Sequence, residues 1–385
     1  PADTAARRRV KVVADENIPG LEGLHRHGID LRQLPGRAMT AADIEDADAL
    51  LVRSVTQVDD ALLNTALRLR FVGTATSGHE HVDRARLAAR GIVFAHAPGS
   101  NANSVVEYVL GAIAETDDYL ERLLAGGRVG IVGYGHIGQR LSRRLDALGI
   151  GWCVSDPWLA GVPNAAPLDD VLTSEVVSLH PELTDAAPYP SLHLLQSGNL
   201  DRLPAQSLLI NASRGAVVDN AALQTRLDTA APPAVVLDVW ENEPLLDCEL
   251  LSRVRLGTAH IAGYSWDGKL LATRMLLAAM ETALDIPTLP LISPAAPELE
   301  PDGDRAAGAE FIRTLLASRY RVADDDRYLR DAMRDNSSPA ARASAFDRLR
   351  RNYRCRRELA GSVVIKPQWS ASQLQQARAL GVEVR

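Results

Sequence analysis

Short apolar runs alternate with helix-like segments along the first part of the chain. Between residue 10 and about residue 97 these runs are VKVVAD, ADALLVRS, LRFVGTAT and GIVFAHAP. Strands separated by helical patterns are typical of parallel βαβ units. A second series starts at residue 128, and its runs are RVGIVGYG, GWCVSD, VVSLHP, SLLINAS, AVVLDVW and VRLGTAH. The pattern therefore predicts an α/β protein with two doubly wound parallel sheets in succession.

The remaining patterns predict how these sheets are connected and which elements come after them. Residues 104–124 and 269–284 have helical periodicity, and the second of these helices is expected to return the chain to the first sheet. The proline-dense stretch DIPTLPLISPAAPELEPDG predicts a linker. Beyond about residue 306, helix-like DDDRYLRDAMRD and ASAFDRLRRNYRCRREL precede a strand-like GSVVIKP. We expect three domains: residues 1–103 completed by 261–285, residues 104–260, and a linker with a small α+β domain over 286–385.

Composition and charge exclude several classes of function. The chain has 42 Lys and Arg against 49 Asp and Glu, a formal charge of −7, which gives no general affinity for nucleic acid or anionic membranes. Its 3 cysteines are scattered and suggest neither a metal site nor a disulfide framework. The basic N-terminal stretch lacks the apolar core of a signal peptide, and no apolar run approaches the roughly 20 residues of a membrane helix. We expect a cytoplasmic protein without a bound metal.

A glycine-rich stretch opens the second series. VGIVGYGHIGQRL places Gly133, Gly135 and Gly138 in a G-x-G-x-x-G pattern between a strand and a helix. Such glycines let the backbone approach a pyrophosphate at the positive end of the helix. Asp156 ends the next strand 18 residues past the last glycine (156 minus 138), near the place of a carboxylate that binds ribose hydroxyls and repels a 2′-phosphate. A plain turn followed by a solvated aspartate is the alternative, but the complete βαβ setting favours a Rossmann-like NAD site.

Three polar residues follow later runs of the second series. Arg214 follows LLINAS, Glu243 follows VVLDVWEN and His260 follows VRLGTA, at strand ends where open α/β sheets bind ligands. Each alone has an ordinary interpretation: a surface arginine, a solvated glutamate, or a histidine hydrogen-bonded within the fold. Together they suit one chemistry, because arginine grips a carboxylate and a histidine oriented by a carboxylate exchanges a proton with a hydroxyl. Beside a nicotinamide, this set predicts oxidation of a 2-hydroxy acid.

Four stretches, GIVGYGHIG, INASRGAVVD, LDVWENEP and TAHIAGYS, resemble in this order the NAD-dependent D-2-hydroxyacid dehydrogenases. The resemblance spans roughly residues 10–284. It implies that Arg214 is the catalytic arginine that binds substrate, Glu243 the partner of the histidine, and His260 the acid/base. It also implies a set of cofactor-binding residues: Gly133, Gly135, His136, Ile137, Gly138, Asp156, Pro181, Ala212, Ser213, Arg214, Asp238 and Gly263.

One member of that set departs from the family pattern. After VVSLH such enzymes usually continue with Thr-Pro, whereas Pro181 and Glu182 stand here. A proline offers neither an N–H nor a hydroxyl. Any cofactor contact at Pro181 is therefore expected to be a carbonyl or van der Waals contact.

Other stretches are similar to one branch of the family, which oxidises a phosphorylated four-carbon hydroxy acid and has a C-terminal dimerisation domain. They are VADENIPG, ADALLVRSVTQVD, FVGTATSGHEHVD, APGSNANSVVEYV and HIAGYSWDGK, with FDRLRRNYRCRRE in the tail. This similarity implies a homodimer, a substrate-binding first domain, and substrate contacts at Ser54, Thr76 and Tyr264. The alternatives are that Ser54 and Thr76 cap local segments and that Tyr264 is a core ring.

The residues that bind the phosphate stay open. Arg53 adjoins Ser54, and the basic tail contains Arg350, Arg351 and Arg354. A solvated basic helix is the more ordinary interpretation of these tail residues.

Two other functions also stay open. The first is a dehydrogenase for another acid, such as 3-phosphoglycerate or glycerate, and the second is an NADH-sensing interaction protein.

Overall fold

The chain folds as two compact units. The computed structural model describes residues 9–290, 295–299, 306–365 and 368–385, so parts of the predicted linker lie outside the described residues. One unit comprises Pro1–Asn101 and Trp266–Ala295, and the other comprises Ala102–Ser265 and Ala296–Arg385. The tail thus groups with the second sheet, whereas the sequence suggests a separate third domain. The functional names of the three predicted domains stay a prediction.

The first unit is a five-stranded parallel sheet in the order β2-β1-β3-β4-β5. Its strands are β1 (Val10–Asp15), β2 (Ile29–Leu34), β3 (Ala49–Val52), β4 (Phe71–Thr74) and β5 (Val93–His96). Its helices are α1 (Asp60–Leu63), α2 (Arg84–Ala89) and α10 (Trp266–Leu284). Adjacent residues of β1 point to opposite faces: Val12 packs in a cluster with Leu276 and Met280 of α10, and Val13 packs in a cluster with Leu87 of α2. Both faces of the sheet are therefore buried, as parallel sheets require.

The second unit has a six-stranded parallel sheet in the order β11-β10-β9-β8-β6-β7. Its strands are β6 (Arg128–Val132), β7 (Gly151–Ser155), β8 (Val176–Leu179), β9 (Leu208–Asn211), β10 (Ala234–Leu237) and β11 (Leu256–Gly257). Its helices are α3 (Ala102–Glu115), α4 (Tyr119–Leu124), α5 (His136–Leu148), α6 (Leu168–Val171), α7 (Ser197–Leu200), α8 (Asn220–Leu227) and α9 (Cys248–Arg253). The chain runs from β6 to β7 and then crosses to β8 on the other side of β6, so the strand order reverses at β6. Ligands bind outside the carboxyl ends of strands at such a reversal. The predicted fold class is confirmed.

The tail adds α11 (Ala309–Ala317), α12 (Val322–Arg334), α13 (Pro339–Arg351) and α14 (Ala371–Ala379), with a parallel pair of strands, β12 (Val363–Val364) and β13 (Glu383–Val384). Phe311 of α11 shares a core with α3, and Phe346 of α13 shares a core with Trp240. Helix α3 is apolar on nearly all sides because it lies between the sheet and the tail. Its two glutamates bind the tail: Glu115 accepts from Val322 N and Ala323 N at 2.8 Å each, and Glu107 accepts from the backbone at residues 359 and 360.

No helix within the described ranges has both the length and the apolar character needed to cross a membrane.

Candidate active site

The glycine loop connects β6 to α5 at the reversal point of the sheet. Gly133 has a φ of +91°, which favours glycine, and a Cβ on Gly138 would lie 2.2 Å from the Gly133 carbonyl oxygen. Helix and loop therefore touch through backbone alone. Gly135 precedes the 13-residue α5 without a side-chain cap, and a Cβ there would meet nothing within 4 Å. The open, uncapped helix start fits a dinucleotide pyrophosphate, and His136 and Ile137 form its first turn.

Asp156 follows β7, the neighbour of β6. Its Oδ2 accepts from Tyr134 N at 2.8 Å and its Oδ1 accepts from Trp158 N at 3.1 Å. The side chain is partly exposed, and each carboxylate oxygen has a second lone pair. Asp156 thus ties the glycine loop to β7 and keeps acceptors for a ribose diol.

Pro181 follows β8 and lies directly against the glycine loop. A Cβ on Gly133 would approach Pro181 N to 2.8 Å. The preceding His180 is buried, its Nε2 pairs with Ser178 Oγ at 2.9 Å, and burial lowers its pKa to about 3. His180 is therefore neutral near neutral pH. The cofactor contact at Pro181 stays a prediction.

Arg214 lies just past the end of β9, next to the loop that follows β10. Its Nη1 donates to Ser213 O at 2.9 Å, and its carbonyl accepts from Asn211 Nδ2 at 3.0 Å. A Cβ on the next residue, Gly215, would lie 2.1 Å from both the carbonyl C and the O of Trp240. Only glycine fits there, so the backbone that carries Arg214 packs directly on the chain that leads to Glu243. Ala212 and Ser213 are buried in the same turn.

Glu243 and His260 form a direct pair at the ends of β10 and β11. His260 Nδ1 hydrogen-bonds Glu243 Oε1, and both side chains are partly exposed. Burial opposes ionisation of Glu243, but the charge and the hydrogen bond of His260, with a smaller effect of the Arg350 charge, outweigh burial and lower the pKa of the carboxyl. An ionised Glu243 holds the proton on Nδ1, which leaves Nε2 as the nitrogen that exchanges a proton with a ligand.

Asp238 shapes the turn at His260. His260 has a left-handed φ of +55°, a conformation that costs about 1 kcal/mol for a residue with a Cβ. Its N–H donates to Asp238 O at 2.7 Å, and the Asp238 carboxylate accepts from Ile261 N at 2.8 Å and Ala262 N at 2.9 Å. Asp238 Oδ1 also accepts from Thr258 Oγ1 at 2.6 Å. The buried carboxylate is thus a brace for the turn, and its predicted contact with the nicotinamide stays a prediction.

The tail braces the other end of the same loop. Arg356 Nη2 donates to Ala262 O at 2.9 Å and to Ser104 O at 2.7 Å, and Ser265 Oγ donates to Glu358 Oε1 at 2.6 Å. Between these contacts lie Gly263 and Tyr264, both partly exposed.

Tyr264 itself meets α13 of the tail. Its hydroxyl accepts from Arg350 Nη2 at 3.2 Å, and its ring lies edge-on to Tyr353 at 5.9 Å between centroids. Tyr264 is partly buried and packs against the core of the second unit, so the core-ring alternative stays open and the substrate contact at Tyr264 stays a prediction.

Ser54 and Thr76 lie in the other unit, past the carboxyl ends of the adjacent strands β3 and β4. Ser54 is exposed. Thr76 Oγ1 donates to Gly78 O at 2.7 Å and pairs with Thr74 Oγ1 at 2.7 Å, which in turn pairs with His81 Nε2 at 2.8 Å. If each hydroxyl donates once along this chain, His81 Nε2 is the first donor, and Thr76 keeps a free lone pair for a ligand hydroxyl.

Two features of the second unit involve residues to which the sequence assigns no definite role. His193 Nε2 pairs with Glu241 Oε1 at 2.5 Å, and Glu241 Oε2 accepts from Asn220 N at 3.1 Å. No motif in the sequence marks this pair. Arg350 is partly buried and contacts Tyr264. The ordinary interpretation of the tail arginines as part of a solvated basic helix is therefore wrong for this residue. Among the described residues there is no cluster of three metal-ligating side chains.

Comparison with known proteins gives a consistent set of relatives. Residues 100–262 match the family described as D-isomer specific 2-hydroxyacid dehydrogenase, NAD binding domain, and residues 293–381 match a domain of unknown function. The chain is 43% identical over 359 residues to the erythronate-4-phosphate dehydrogenase of Cellvibrio japonicus, covering 91% of this chain and 93% of that protein. It is 41% identical to the protein of the same name from Edwardsiella ictaluri, covering 98% and 100%.

A solved structure has the same fold at lower identity. The D-lactate dehydrogenase of Aquifex aeolicus, solved with NAD and lactic acid, matches with a TM-score of 0.58 and 20% identity, covering 71% of this chain and 96% of that chain.

Proposed function

Because this chain belongs to the family of NAD-dependent D-2-hydroxyacid dehydrogenases, we propose that it oxidises 4-phospho-D-erythronate to 3-hydroxy-2-oxo-4-phosphooxybutanoate. This is a step of pyridoxal 5′-phosphate biosynthesis. The substrate follows the names of the relatives that match nearly the whole chain. The observation that carries the chemistry is the His260–Glu243 pair, next to a backbone junction that holds Arg214.

The reaction needs one proton acceptor and one hydride acceptor. The C2–H bond breaks and its hydride leaves, while the proton of the C2 hydroxyl moves to His260 Nε2 as the C=O bond forms. NAD⁺, when bound, accepts the hydride and becomes NADH. The protein itself therefore has to take one proton and fix one substrate geometry.

His260, Glu243 and Arg214 each have a separate role in this step. The Glu243 carboxylate is ionised, since its pKa is lowered, and it stabilises the imidazolium that forms when His260 takes the proton. The Arg214 guanidinium presents a fork of donors to the substrate carboxylate. In the reverse reaction, the His260 imidazolium and the Arg214 guanidinium withdraw electron density from the C2 carbonyl of the oxo acid. The same residues therefore also favour its reduction.

The cofactor set rests on the residues around the reversal point. The start of α5 suits the pyrophosphate, and Asp156 suits a ribose diol and disfavours a 2′-phosphate. The buried Ala212 and Ser213, with Pro181 and Gly263, lie past the carboxyl ends of β9, β8 and β11. We propose the same residues as the lining of the NAD site.

We further propose a cytoplasmic homodimer that associates through the tail. Support for this comes from the resemblance of the tail to the dimerisation domain of one family branch. Light scattering at the elution peak of a sizing column measures the mass, and a monomer at micromolar concentration would contradict the dimer.

A substrate comparison tests the proposed function. The purified chain is assayed for NADH absorbance with NAD and 4-phospho-D-erythronate, 3-phosphoglycerate or glycerate, and with an added 2-oxo acid in case NADH does not leave. We expect turnover with the first acid and at least about 100-fold lower kcat/KM with the others. Preference for another acid would replace the proposed substrate.

A histidine variant tests the mechanism. We expect His260→Ala to lose about 1,000-fold or more in kcat, because it removes the proton acceptor, while NADH binding followed by fluorescence stays. His193→Ala is the matched control, because it removes the other histidine–glutamate pair of the same unit. If both variants turn over equally, His260 is not the acid/base. Turnover absent in the parent chain, with NADH binding intact, would favour the sensing protein.

A further inference from the structure

Arg350 points inward from the last turn of α13. The apolar side of this helix is fixed by Phe346, which is fully buried in the cluster that contains Trp240. Arg350 is four residues later and therefore lies on the same side, one turn along the axis. The adjacent Arg351 is exposed. The helix thus turns one arginine of a basic stretch towards the loop that carries Tyr264.

The Arg350 guanidinium has unused donors. Nη2 donates to Tyr264 Oη at 3.2 Å, and the group lies 5.8 Å from the Tyr264 ring centroid. Its Nε is buried and has no partner among the described residues. A guanidinium carries five N–H donors, and here a neutral phenol accounts for one of them.

Arg354 and Arg356 of the same segment are more firmly bound within the chain, although Arg356 Nε and Nη1 are also buried without a partner among the described residues. Arg354 forms an ion pair with Asp325 at 3.3 Å, and Arg356 donates to two backbone carbonyls. Within the parts of the chain that the structure describes, no carboxylate lies in ion-pair range of Arg350. A partly buried cation with spare donors is unfavourable by itself and is stabilised by an incoming anion.

Arg350 is also close to the reacting groups. The positive charge of Arg350 helps to lower the pKa of the Glu243 carboxyl, and the negative charge of Glu243 helps to raise the pKa of Arg350. Tyr264 belongs to the loop that begins at His260, so the phenol connects Arg350 to that loop. An anion bound at Arg350 therefore lies at the same end of the sheet as the acid/base pair.

We propose that Arg350 binds the phosphate group of the substrate, together with the hydroxyl of Tyr264. This inference rests on the proposed function, which requires a substrate with two anionic groups. Arg214 serves the carboxylate, and Arg350 is a second cation in the same unit. Guanidinium and phosphate match in geometry, since two N–H groups of one reach two oxygens of the other. Arg350 then determines specificity for a phosphorylated acid over the same acid without phosphate.

The test compares two substrates in two variants and a control. Arg350→Gln removes the charge but keeps a donor for Tyr264, Arg350→Lys keeps the charge without the fork, and Arg351→Gln is the matched control on the exposed side. We measure kcat and KM for 4-phospho-D-erythronate and for D-erythronate, with binding of both acids to the NADH-loaded chain by calorimetry. Melting curves check that each variant is folded.

We expect Arg350→Gln to lose about 100-fold in affinity and kcat/KM for the phosphorylated acid, the size of a charge-assisted hydrogen-bond pair. Values for D-erythronate should stay within about twofold of the parent, Arg350→Lys should recover part of the loss, and Arg351→Gln should match the parent. The preference for the phosphorylated acid would then disappear in Arg350→Gln alone.

Other outcomes separate this inference from the proposed function. An equal loss for both acids, with a shifted pH profile of kcat, would mean that Arg350 acts on Glu243 only and would overturn the inference. An unchanged preference in Arg350→Gln would also overturn it while leaving the function intact. If the parent binds the phosphorylated acid through Arg350 without turning it over, the proposed function fails and the binding site stands. If the parent binds neither acid, both fail.

Discussion

The close contact at Gly215 gives a sharp test of how Arg214 is positioned. In Gly215→Ala, the added methyl group would lie 2.1 Å from the Trp240 carbonyl C and O and 2.5 Å from Glu241 N. These are backbone atoms of a buried segment, so no flexible side chain can move aside. An ordinary contact needs 3.4 Å or more, and the two backbones must therefore separate by about 1 Å.

The magnitude follows from this separation. Overpacking of this kind costs about 1–3 kcal/mol of the free energy of unfolding. A 1 Å displacement of a catalytic group relative to its partners lowers the rate about 100-fold. We therefore expect kcat for 4-phospho-D-erythronate to fall about 100-fold in Gly215→Ala. NADH affinity should fall less than kcat, because the contacts proposed at the glycine loop and at Asp156 lie at other strands of the sheet.

The assay is the initial rate of NADH formation, with thermal unfolding measured in parallel. Gly198→Ala is the control, because Gly198 is exposed and a Cβ there would meet nothing within 4 Å. If Gly215→Ala has the same kcat as Gly198→Ala, the contact with Trp240 does not set the position of Arg214.

Two further variants test buried carboxylates: Asp238, which holds the loop after His260, and Glu107, which holds the tail backbone. Asp238→Asn should lower the free energy of unfolding by about 1–3 kcal/mol and should also lower kcat. The reason is that the asparagine amide places an N–H group against a backbone N–H group that now donates to the carboxylate. A melting temperature equal to that of the parent would contradict the bracing role of Asp238. Burial and the charge of Glu358 raise the pKa of Glu107 to about 7, so the folded state holds a proton that the unfolded state releases, and stability is lost as pH rises towards 7. The melting temperature of Glu107→Gln should therefore improve relative to the parent between about pH 5 and pH 8, and a constant difference across that range would exclude the titration of Glu107.

Most of the fold follows from apolar runs, because strands of parallel sheets are buried on both faces. One exception is β2, whose sequence IDLRQL mixes apolar and polar residues. It lies at the edge of its sheet with half-exposed positions, so it has no continuous apolar run to detect. The helix predicted over 104–124 is wrong as a single element. It divides into α3 and α4, where Asp117 has a φ of +40° and its carboxylate binds Arg255 at 2.7 Å.

The site shows where local patterns stop being informative. Arg214, Glu243 and His260 are recognisable because each follows a strand end, and the topology of parallel strands brings such ends to one edge. The orientation of Arg350 depends on which side of α13 Phe346 buries, and this is set by packing against Trp240, about 100 residues earlier in the chain. The bracing role of Asp238 depends on backbone N–H groups, which have no signature in the sequence.

The burial of α3 on nearly all sides couples the stability of the tail to that of the six-stranded sheet. Since the helix faces the sheet on one side and α11 on another, the tail cannot detach without exposing an apolar flank to water. The tail also braces the loop after His260, through Arg356 and Glu358. A ligand that binds only when this loop is in its native position therefore opposes detachment by the binding free energy that detachment would remove. Protection of the α11 amides against hydrogen exchange should therefore increase when the site is occupied, although none of the proposed site residues belongs to α11.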